Sequence, residues 1–269
     1  MSNAGATFTG SIPALYEQYL GPLFFEPFAE DMAARLRSSD HGRVLETAAG
    51  TGIVTRAMVK VLTPGGEIIA TDLNQAMLDL AATRLQAPNV TWRQADAQRL
   101  PFEDAAFDVI VCQFGVMFFP DKVEAHREAL RVLKPGGRFL FSVWDSLDAN
   151  PVSQAVHEAM ASAFPDDPPQ FIQRMPFGYS DHDRIRNELQ QAGFGNVAIQ
   201  TVEKVTQAAS PREPAIGLCQ GSPLRNEIEA RAPERLEEIT AAATEAIAAR
   251  FGPSSFENRM RAIVVTARQ

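Results

Sequence analysis

The sequence predicts an α/β fold with a doubly wound, mostly parallel sheet. Strand patterns at residues 44–47 and 67–71 flank a helical pattern at residues 53–62. A third apolar run, residues 107–114, has the continuous hydrophobicity of a strand that is buried on both faces. Strands that alternate with helices in this way are typical of parallel sheets covered by helices on both sides.

The first strand pattern ends in a turn of small residues, Thr47-Ala48-Ala49-Gly50-Thr51-Gly52. Gly50 and Gly52 tolerate a positive φ and, because they lack a Cβ, allow a ligand to approach the backbone closely. The helix that follows also directs free N–H groups at whatever lies above the turn. A single Gly-x-Gly is weak evidence, since small residues also serve tight packing between a strand and a helix.

The second strand pattern ends at Asp72, roughly twenty residues after Gly52, the offset at which a carboxylate holds ribose hydroxyls in nucleotide-binding βαβ units. The turn and the acid together indicate a nucleoside site. Thr55 stands where the dinucleotide pattern requires a third small residue, which disfavours an NAD-dependent oxidoreductase. Alternatively, Asp72 caps the helix at residues 75–85, and Glu46 only stabilises a helix dipole.

The order of the later segments strengthens the nucleoside interpretation. Residues 90–97 have a strand pattern that ends at Asp96, and residues 130–138 form a helix end and a Pro-Gly turn before a strand at 139–144. The whole series resembles the class I S-adenosylmethionine-dependent methyltransferases, in particular the small-molecule branch that includes the ubiquinone and menaquinone biosynthesis methyltransferases. This resemblance covers about residues 12–145.

The resemblance implies a Rossmann-like, mostly parallel sheet of seven strands with helical cap insertions. Residues 196–206 are the expected sixth strand. Residues 263–267 are the expected last strand, which in this family lies antiparallel beside the sixth. The resemblance also implies S-adenosyl-L-methionine as the cofactor.

The expected organisation has three parts. A helical lead, residues 1–40, lies over the cofactor site; the cofactor-binding core occupies residues 41–145; and residues 146–269 complete the sheet. This last part carries the helical cap insertions at about residues 146–180 and 207–258.

The family's first motif is an acidic residue followed by Gly-x-Gly-x-Gly. By this resemblance Glu46 matches the acid, Gly50 and Gly52 match the last two glycines, and Ala48 replaces the first. The methyl group of Ala48 is then expected beside the methionine end of the cofactor. We expect this replacement to be tolerated or to weaken cofactor binding slightly.

The resemblance carries further cofactor contacts onto the ends of the other strands. Asp72 matches the acid that binds the ribose. The remaining residues match the adenine contacts and the backbone carbonyls that receive the cofactor's amino group: Leu73 and Met77, then Asp96 and Ala97 at the adenine amino edge, and Cys112, Gln113 and Phe114 after the fourth strand. The structural alternative for Asp96 is that it closes a surface turn. For the Cys112 side chain, a buried strand thiol is expected and not a nucleophile, because methyl transfer from a sulfonium needs no covalent intermediate.

Two tyrosines belong to an aromatic N-terminal segment. In similar methyltransferases this segment folds over the cofactor, which implies that the hydroxyl of Tyr16 or Tyr19 contacts the methionine carboxylate. Alternatively, the two side chains, three residues apart on a helix, form an amphipathic face that docks on the sheet.

A general base is optional, because the sulfonium methyl group is already activated. His157 is the weak candidate if the acceptor is a phenol or an enol, although a position on an exposed helix suits this residue better. His126, on the helix at residues 122–132, is expected at the surface, and His182 is expected within a helix cap.

Composition limits the class of protein. The chain has 269 residues, a net charge of -8 and two cysteines. An acidic chain does not suit a nucleic-acid substrate, and two cysteines do not make a disulfide framework. No His/Cys spacing predicts a metal site, and no apolar run approaches the length of a membrane span. We expect a cytoplasmic protein.

The sequence therefore predicts a methyltransferase of EC class 2.1.1 that uses S-adenosyl-L-methionine. The acceptor is a small molecule, apolar or aromatic, that receives the methyl group on oxygen, carbon or nitrogen. Nucleic acid is not expected as a partner, and no membrane span is expected. The alternative is a protein that binds S-adenosylmethionine or S-adenosylhomocysteine without turnover, which the substitution at Ala48 and the absence of a clear base suggest.

Overall fold

The computed structural model describes residues 8, 10–36 and 42–269. Within them, seven strands form one sheet: β1 (Arg43–Thr47), β2 (Glu67–Asp72), β3 (Val90–Gln94), β4 (Phe107–Gln113), β5 (Leu133–Trp144), β6 (Asn196–Ala208) and β7 (Phe256–Arg268). The strand order is β3-β2-β1-β4-β5-β7-β6. β1 pairs in parallel with β2 and β4, and β5 pairs in parallel with β4.

The last strand runs antiparallel to β5 and lies between β5 and β6. This confirms the predicted seven-stranded, mostly parallel α/β sheet. The central strands are buried along nearly their whole length, because helices cover both faces of the sheet. Both β6 and β7 are longer than the patterns at 196–206 and 263–267 indicated.

The helices of the described chain follow in sequence order: α1 (Ile12–Leu15), a π-helix (Tyr16–Phe25), α2 (Glu26–Ala34), α3 (Ile53–Val59), α4 (Gln75–Arg84), α5 (Lys122–Val132), α6 (Pro151–Ala163), α7 (Phe171–Arg174), α8 (His182–Ala192), α9 (Arg212–Gln220), α10 (Leu224–Arg231) and α11 (Leu236–Phe251). Helix α8 carries the expected capping residues at both ends. Asp181 accepts hydrogen bonds from two N–H groups at the start of α8, and Gly193 ends that helix with a φ of 105°.

Two elements differ from the sequence prediction. β5 begins at Leu133, not at residue 139, so the Pro-Gly turn lies within the strand as an irregularity opposite Phe107 and Val109. Gly136 supports this irregularity with a φ of 80°. The N-terminal segment contains a π-helix, for which the sequence pattern gave no indication.

The chain divides into two compact units. One comprises Met1–Pro27, Asp145–Gly178 and Glu203–Arg261, and the other comprises Phe28–Trp144, Tyr179–Val202 and Ala262–Gln269. We call them the helical unit and the sheet unit. The expected boundary at residues 40 and 41 lies outside the described residues, and the three-part organisation stays a prediction.

Within the helical unit, the π-helix lies against α9, where two glycines allow close approach. A Cβ added to Gly217 would lie 2.6 Å from Leu20 Cδ2 and 3.2 Å from Tyr19 Cβ. A Cβ added to Gly221 would lie 3.0 Å from the backbone N of Tyr16. Larger residues at the two glycine positions would therefore push the N-terminal segment away from α9.

In the sheet unit, His126 is fully buried, so its predicted surface position is wrong. α5 turns this side chain towards the sheet, where its ring stacks on Phe141 at a centroid distance of 5.6 Å. Neither ring nitrogen has a hydrogen-bond partner among the described residues. Burial lowers the pKa of His126 to about 4, because the charged imidazolium would lose its hydration.

None of the helices in the described ranges combines the length and the apolar character needed to cross a membrane.

Replacing His126 by leucine should make stability less sensitive to acid. The unfolded chain binds a proton at the histidine below about pH 6.5, whereas the folded chain does not until about pH 4. The free energy of unfolding of the wild type should therefore fall between these two values by about 3 kcal/mol relative to His126→Leu. Above pH 6.5 the difference should be constant.

Urea unfolding of the two proteins between pH 4 and pH 8 measures this effect. His182→Gln is the matched control, because His182 is an exposed histidine on a neighbouring helix. Parallel pH curves for His126→Leu and the wild type would contradict a buried neutral imidazole.

Candidate functional site

The parallel pairing of β1 with β2 and β4 brings the carboxyl ends of these strands to one edge of the sheet. Thr47 pairs with Thr71, and the backbone N of Ala49 donates to the carbonyl O of Thr71 at 2.9 Å. β3 ends at the same edge, since the backbone N of Ala95 donates to the carbonyl O of Asp72 at 3.0 Å. Open α/β sheets bind their ligands at such an edge.

The turn after β1 has the positive φ values that its small residues predicted. Ala48, Gly50 and Gly52 have φ values of 54°, 57° and 78°. A Cβ on Gly50 would meet only Met77 Cε, at 3.7 Å, so the space beside this residue is open to ordinary contact. A Cβ on Gly52 would lie 2.7 Å from the ring of Trp92, so Gly52 also serves tight packing.

Asp72 holds the turn after β1 and the start of α4 together. Its Oδ2 accepts a hydrogen bond from the backbone N of Gly50 at 2.8 Å, and its Oδ1 accepts one from the backbone N of Asn74 at 2.8 Å. The N-cap position of α4 is occupied by Asn74, so Asp72 is not the helix cap. Burial raises the pKa of Asp72, and the hydrogen bonds from Asn74 and Gly50 oppose this shift.

Glu46 is buried beneath the turn. Its Oε2 accepts a hydrogen bond from the Thr55 hydroxyl at 2.5 Å. Burial is the main cause that raises the pKa of Glu46 to about 8, and the negative charge of Asp72 adds to the effect. Glu46 therefore contacts a side chain of helix α3. This differs from the structural alternative, in which Glu46 only stabilises the dipole of that helix.

The loop after β4 contains a strained aromatic residue. Phe114 has a φ of 51°, its backbone N donates to the carbonyl O of Ser142 at 2.9 Å, and its ring stacks on Trp144 at a centroid distance of 3.9 Å. Phe28 packs edge-on against both rings. Left-handed backbone at a non-glycine residue is uncommon and often marks a functional site.

The predicted cofactor contacts after β4 and β2 differ in how far they are buried. Cys112 is buried, as expected, and burial raises the pKa of its thiol to about 12. Gln113 is half-buried at the end of β4. Met77 is buried next to Gly50, whereas 56% of the Leu73 side chain is exposed.

Asp96 closes a local turn, as one of the two interpretations predicted. Its Oδ1 accepts a hydrogen bond from the backbone N of Gln98 at 2.9 Å, and its carbonyl O accepts one from the backbone N of Arg99. Ala97 lies within this turn and is half-buried. Roles of Asp96 and Ala97 in cofactor binding stay predictions.

Tyr16, Tyr19 and His157 belong to the helical unit. Both tyrosines lie on the π-helix, and the ring of Tyr16 stacks on Phe25 at a centroid distance of 4.8 Å. His157 lies half-buried on α6, and its Nδ1 has no hydrogen-bond partner among the described residues. Their cofactor-binding and catalytic roles stay predictions.

One residue of the site was missed by the sequence interpretation. Thr55 counted only as a departure from the dinucleotide pattern, yet its hydroxyl is the hydrogen-bond partner of Glu46. Its position in the first turn of a helix that follows the strand of Glu46 was an available signal, because helix α3 begins at Ile53.

These residues together suit a ligand that carries hydroxyl groups and positive charge. The carboxyl groups of Glu46 and Asp72 are both buried at one edge of the sheet, next to a turn whose Gly50 leaves space for a ligand. Burial is the main cause that raises the pKa of both carboxyl groups, because the charged forms lose hydration at this edge. In the described ranges no group of three or more His, Cys, Asp or Glu side chains is arranged to hold a metal ion.

Comparison with known proteins identifies the part of the chain that contains the strand ends described above. Residues 45–141 match the family model described as a methyltransferase domain. The ubiquinone/menaquinone biosynthesis C-methyltransferase of Ectopseudomonas mendocina is 41% identical over 126 residues, which cover 45% of this chain and 49% of the relative. The chain thus spans about half the length of this curated relative.

Two further comparisons extend over more of the chain. The demethylmenaquinone methyltransferase of Lactobacillus johnsonii is 32% identical over 168 residues, which cover 58% of this chain and 68% of the relative. The phosphoethanolamine N-methyltransferase 2 of Haemonchus contortus, solved in complex with S-adenosyl-L-methionine, shares the fold over 95% of this chain and 56% of its own, with a TM-score of 0.59 and 17% identity. The sequence similarity and the shared fold agree with the geometry at the strand ends, and the chain belongs to the class I S-adenosylmethionine-dependent methyltransferases.

Proposed function

We propose that this protein binds S-adenosyl-L-methionine at the carboxyl ends of β1, β2 and β4 and transfers its methyl group to a small acceptor. The arrangement around Asp72 carries this proposal. Its buried carboxylate is fixed by the backbone N–H groups of Gly50 and Asn74, directly beside the open part of the turn. A fixed acidic group at the end of the second strand suits a ribose diol, because each oxygen accepts a hydroxyl hydrogen bond.

The residues present fit this cofactor in three further respects. Gly50 leaves room for a ligand at the turn, and the exposed side chain of Leu73 supplies an apolar surface next to Asp72. Glu46 lies beneath the turn, on the side where the resemblance expects the methionine end, and supplies negative charge there once its carboxyl loses its proton. When bound, S-adenosyl-L-methionine supplies a methyl group on a sulfonium that is already activated for transfer.

The main task of the protein is then to position the acceptor and to exclude water from the site. Methyl transfer needs the acceptor atom in line with the sulfur–methyl bond, and holding this geometry supplies much of the rate enhancement. The hydrogen bonds of Asp72 and the stacked rings of Phe114 and Trp144 give the site fixed walls. If the acceptor loses a proton, His157 is the candidate to receive it.

For the acceptor we propose a small aromatic ring of the quinol class, methylated on carbon. The names of the two curated relatives support this choice, since they describe methylation in ubiquinone and menaquinone biosynthesis and of demethylmenaquinone. An electron-rich ring carbon is a suitable nucleophile for a sulfonium methyl group, and its proton leaves after the bond forms. The net charge of -8 supports a small molecule and disfavours nucleic acid. We further propose a cytoplasmic location.

Methyl transfer is tested by incubating the protein with S-adenosyl-L-methionine and a reduced naphthoquinone that lacks its ring methyl group. Mass spectrometry should detect the C-methylated quinol and S-adenosylhomocysteine in equal amounts. Phosphoethanolamine serves as a polar acceptor that should stay unmodified. Formation of S-adenosylhomocysteine with phosphoethanolamine alone would contradict the proposed acceptor class.

Asp72→Ala should weaken binding of S-adenosyl-L-methionine by about 100-fold or more, because two hydrogen bonds to a charged group are lost. Calorimetric titration of the folded variant measures the change. Asp79→Ala is the matched control, since Asp79 is an exposed acid on the adjacent helix α4. Binding by Asp72→Ala within a few-fold of the wild type would remove the main support for the proposed site.

Glu46 should make cofactor binding depend on pH. Below its pKa of about 8 the carboxyl is mostly protonated, and a cationic ligand must displace that proton. The affinity for S-adenosyl-L-methionine should therefore rise several-fold from pH 6.5 to pH 8.5, then level off. Binding of S-adenosylhomocysteine, which lacks the sulfonium charge, should rise less.

Calorimetry at these pH values compares the two ligands in the wild type and in Glu46→Gln. The variant keeps an acceptor for the Thr55 hydroxyl but has no proton to lose. The difference in pH dependence between the ligands should disappear in Glu46→Gln. The same difference in both proteins would place the titrating group elsewhere.

A further inference from the structure

The turn after β1 contains a side chain in a conformation that favours glycine. Ala48 has a φ of 54°, in the left-handed region, and stands where the family's motif has its first glycine. The direction of its methyl group determines whether this substitution obstructs the cofactor or is absorbed by the protein.

The methyl group of Ala48 points towards Gly115, in the loop after β4. A Cβ added to Gly115 would lie only 2.5 Å from Ala48 Cβ and 2.7 Å from Cys112 Sγ. The backbone of Gly115, with φ of -103° and ψ of -41°, is available to any residue. Space, not backbone torsion, therefore requires glycine at this position.

Both backbones at this contact are held in place. On one side, the backbone N–H groups of Ala49 and Gly50 are bonded to Thr71 O and to the Asp72 carboxylate. On the other side, Phe114, directly before Gly115, is bonded to Ser142 and stacked on Trp144. An additional methyl group between them has no room unless the turn or the loop moves.

We propose that Gly115 is a positioning residue of the cofactor site, which accommodates the Ala48 methyl group and thereby sets the separation of the turn after β1 from the loop after β4. This inference rests on the proposed function, since these two segments are those expected at the methionine end of the cofactor. Ala48 is then no obstacle to binding, because its methyl group occupies the volume that a side chain at position 115 would need.

The test adds the methyl group to position 115 and then removes it from position 48. Because Cys112 Sγ would also meet the new Cβ, all variants are made in a Cys112→Ala background. The four proteins are the background itself, and the background with Ala48→Gly, with Gly115→Ala, or with both changes. Each is titrated calorimetrically with S-adenosylhomocysteine, and its thermal unfolding is recorded without ligand.

Gly115→Ala should raise the Kd for S-adenosylhomocysteine by about tenfold or more, because the two segments are forced apart. Adding Ala48→Gly should bring the Kd back to within about threefold of the background. Ala48→Gly alone separates the direct effect of the Ala48 methyl group on binding from its effect through position 115. Recovery of binding when the methyl group at position 48 is removed would show that the side chains at positions 48 and 115 compete for the same space.

Three outcomes would overturn the inference while the proposed function stands. The first is an unchanged Kd in the Gly115→Ala protein, and the second is a failure of Ala48→Gly to restore binding. The third is that Gly115→Ala lowers thermal stability and Ala48→Gly restores it, while the Kd for S-adenosylhomocysteine stays the same in all four proteins. If the Gly115→Ala protein does not fold, the double change must fold and bind, and its failure counts against the inference. Failure of the wild type to bind S-adenosylhomocysteine would instead refute the proposed function itself.

Discussion

The parallel alignment of β1, β2 and β4 is the constraint on which the rest of the site depends. Residues far apart in the sequence, Glu46, Asp72 and Phe114, meet because their strands end at one edge of the sheet. The pairing fixes the height of each strand end, and the bond from Gly50 to the Asp72 carboxylate then fixes the turn. A shift in register by one residue would turn each of these side chains to the opposite face.

This arrangement is costly for the folded chain without a ligand. Two carboxyl groups are removed from water at the same edge, and burial of a charged group costs several kcal/mol when its partners are incomplete. Hydrogen bonds from Thr55, Gly50 and Asn74 offset part of that cost. A ligand that donates hydrogen bonds to these carboxyl groups would offset more of the cost, so the feature that weakens the free protein would favour the bound state.

The sheet and the sequence positions at its edge were predictable because they depend on local patterns. Apolar runs, small turn residues and acids at strand ends are visible in the sequence, and the structure places them together. His126 was misjudged because its position in the sequence, away from the strand ends, was given more weight than its place beside Ala125 and Ala129 on the buried stripe of α5. The contact of Ala48 with Gly115, and the π-helix, depend on tertiary packing that no local pattern records.

The helical unit is assembled from three separate stretches of the chain, which has a consequence for folding during synthesis. The π-helix packs on α9, whose glycines lie roughly 200 residues later, so at ribosomal rates of about 5–20 residues per second it waits roughly 10–40 s for its partner. Until then its apolar residues, Leu20, Leu23 and Phe24, lack their native cover. The apolar surface of the N-terminal segment is therefore available for wrong contacts until α9 has been synthesised.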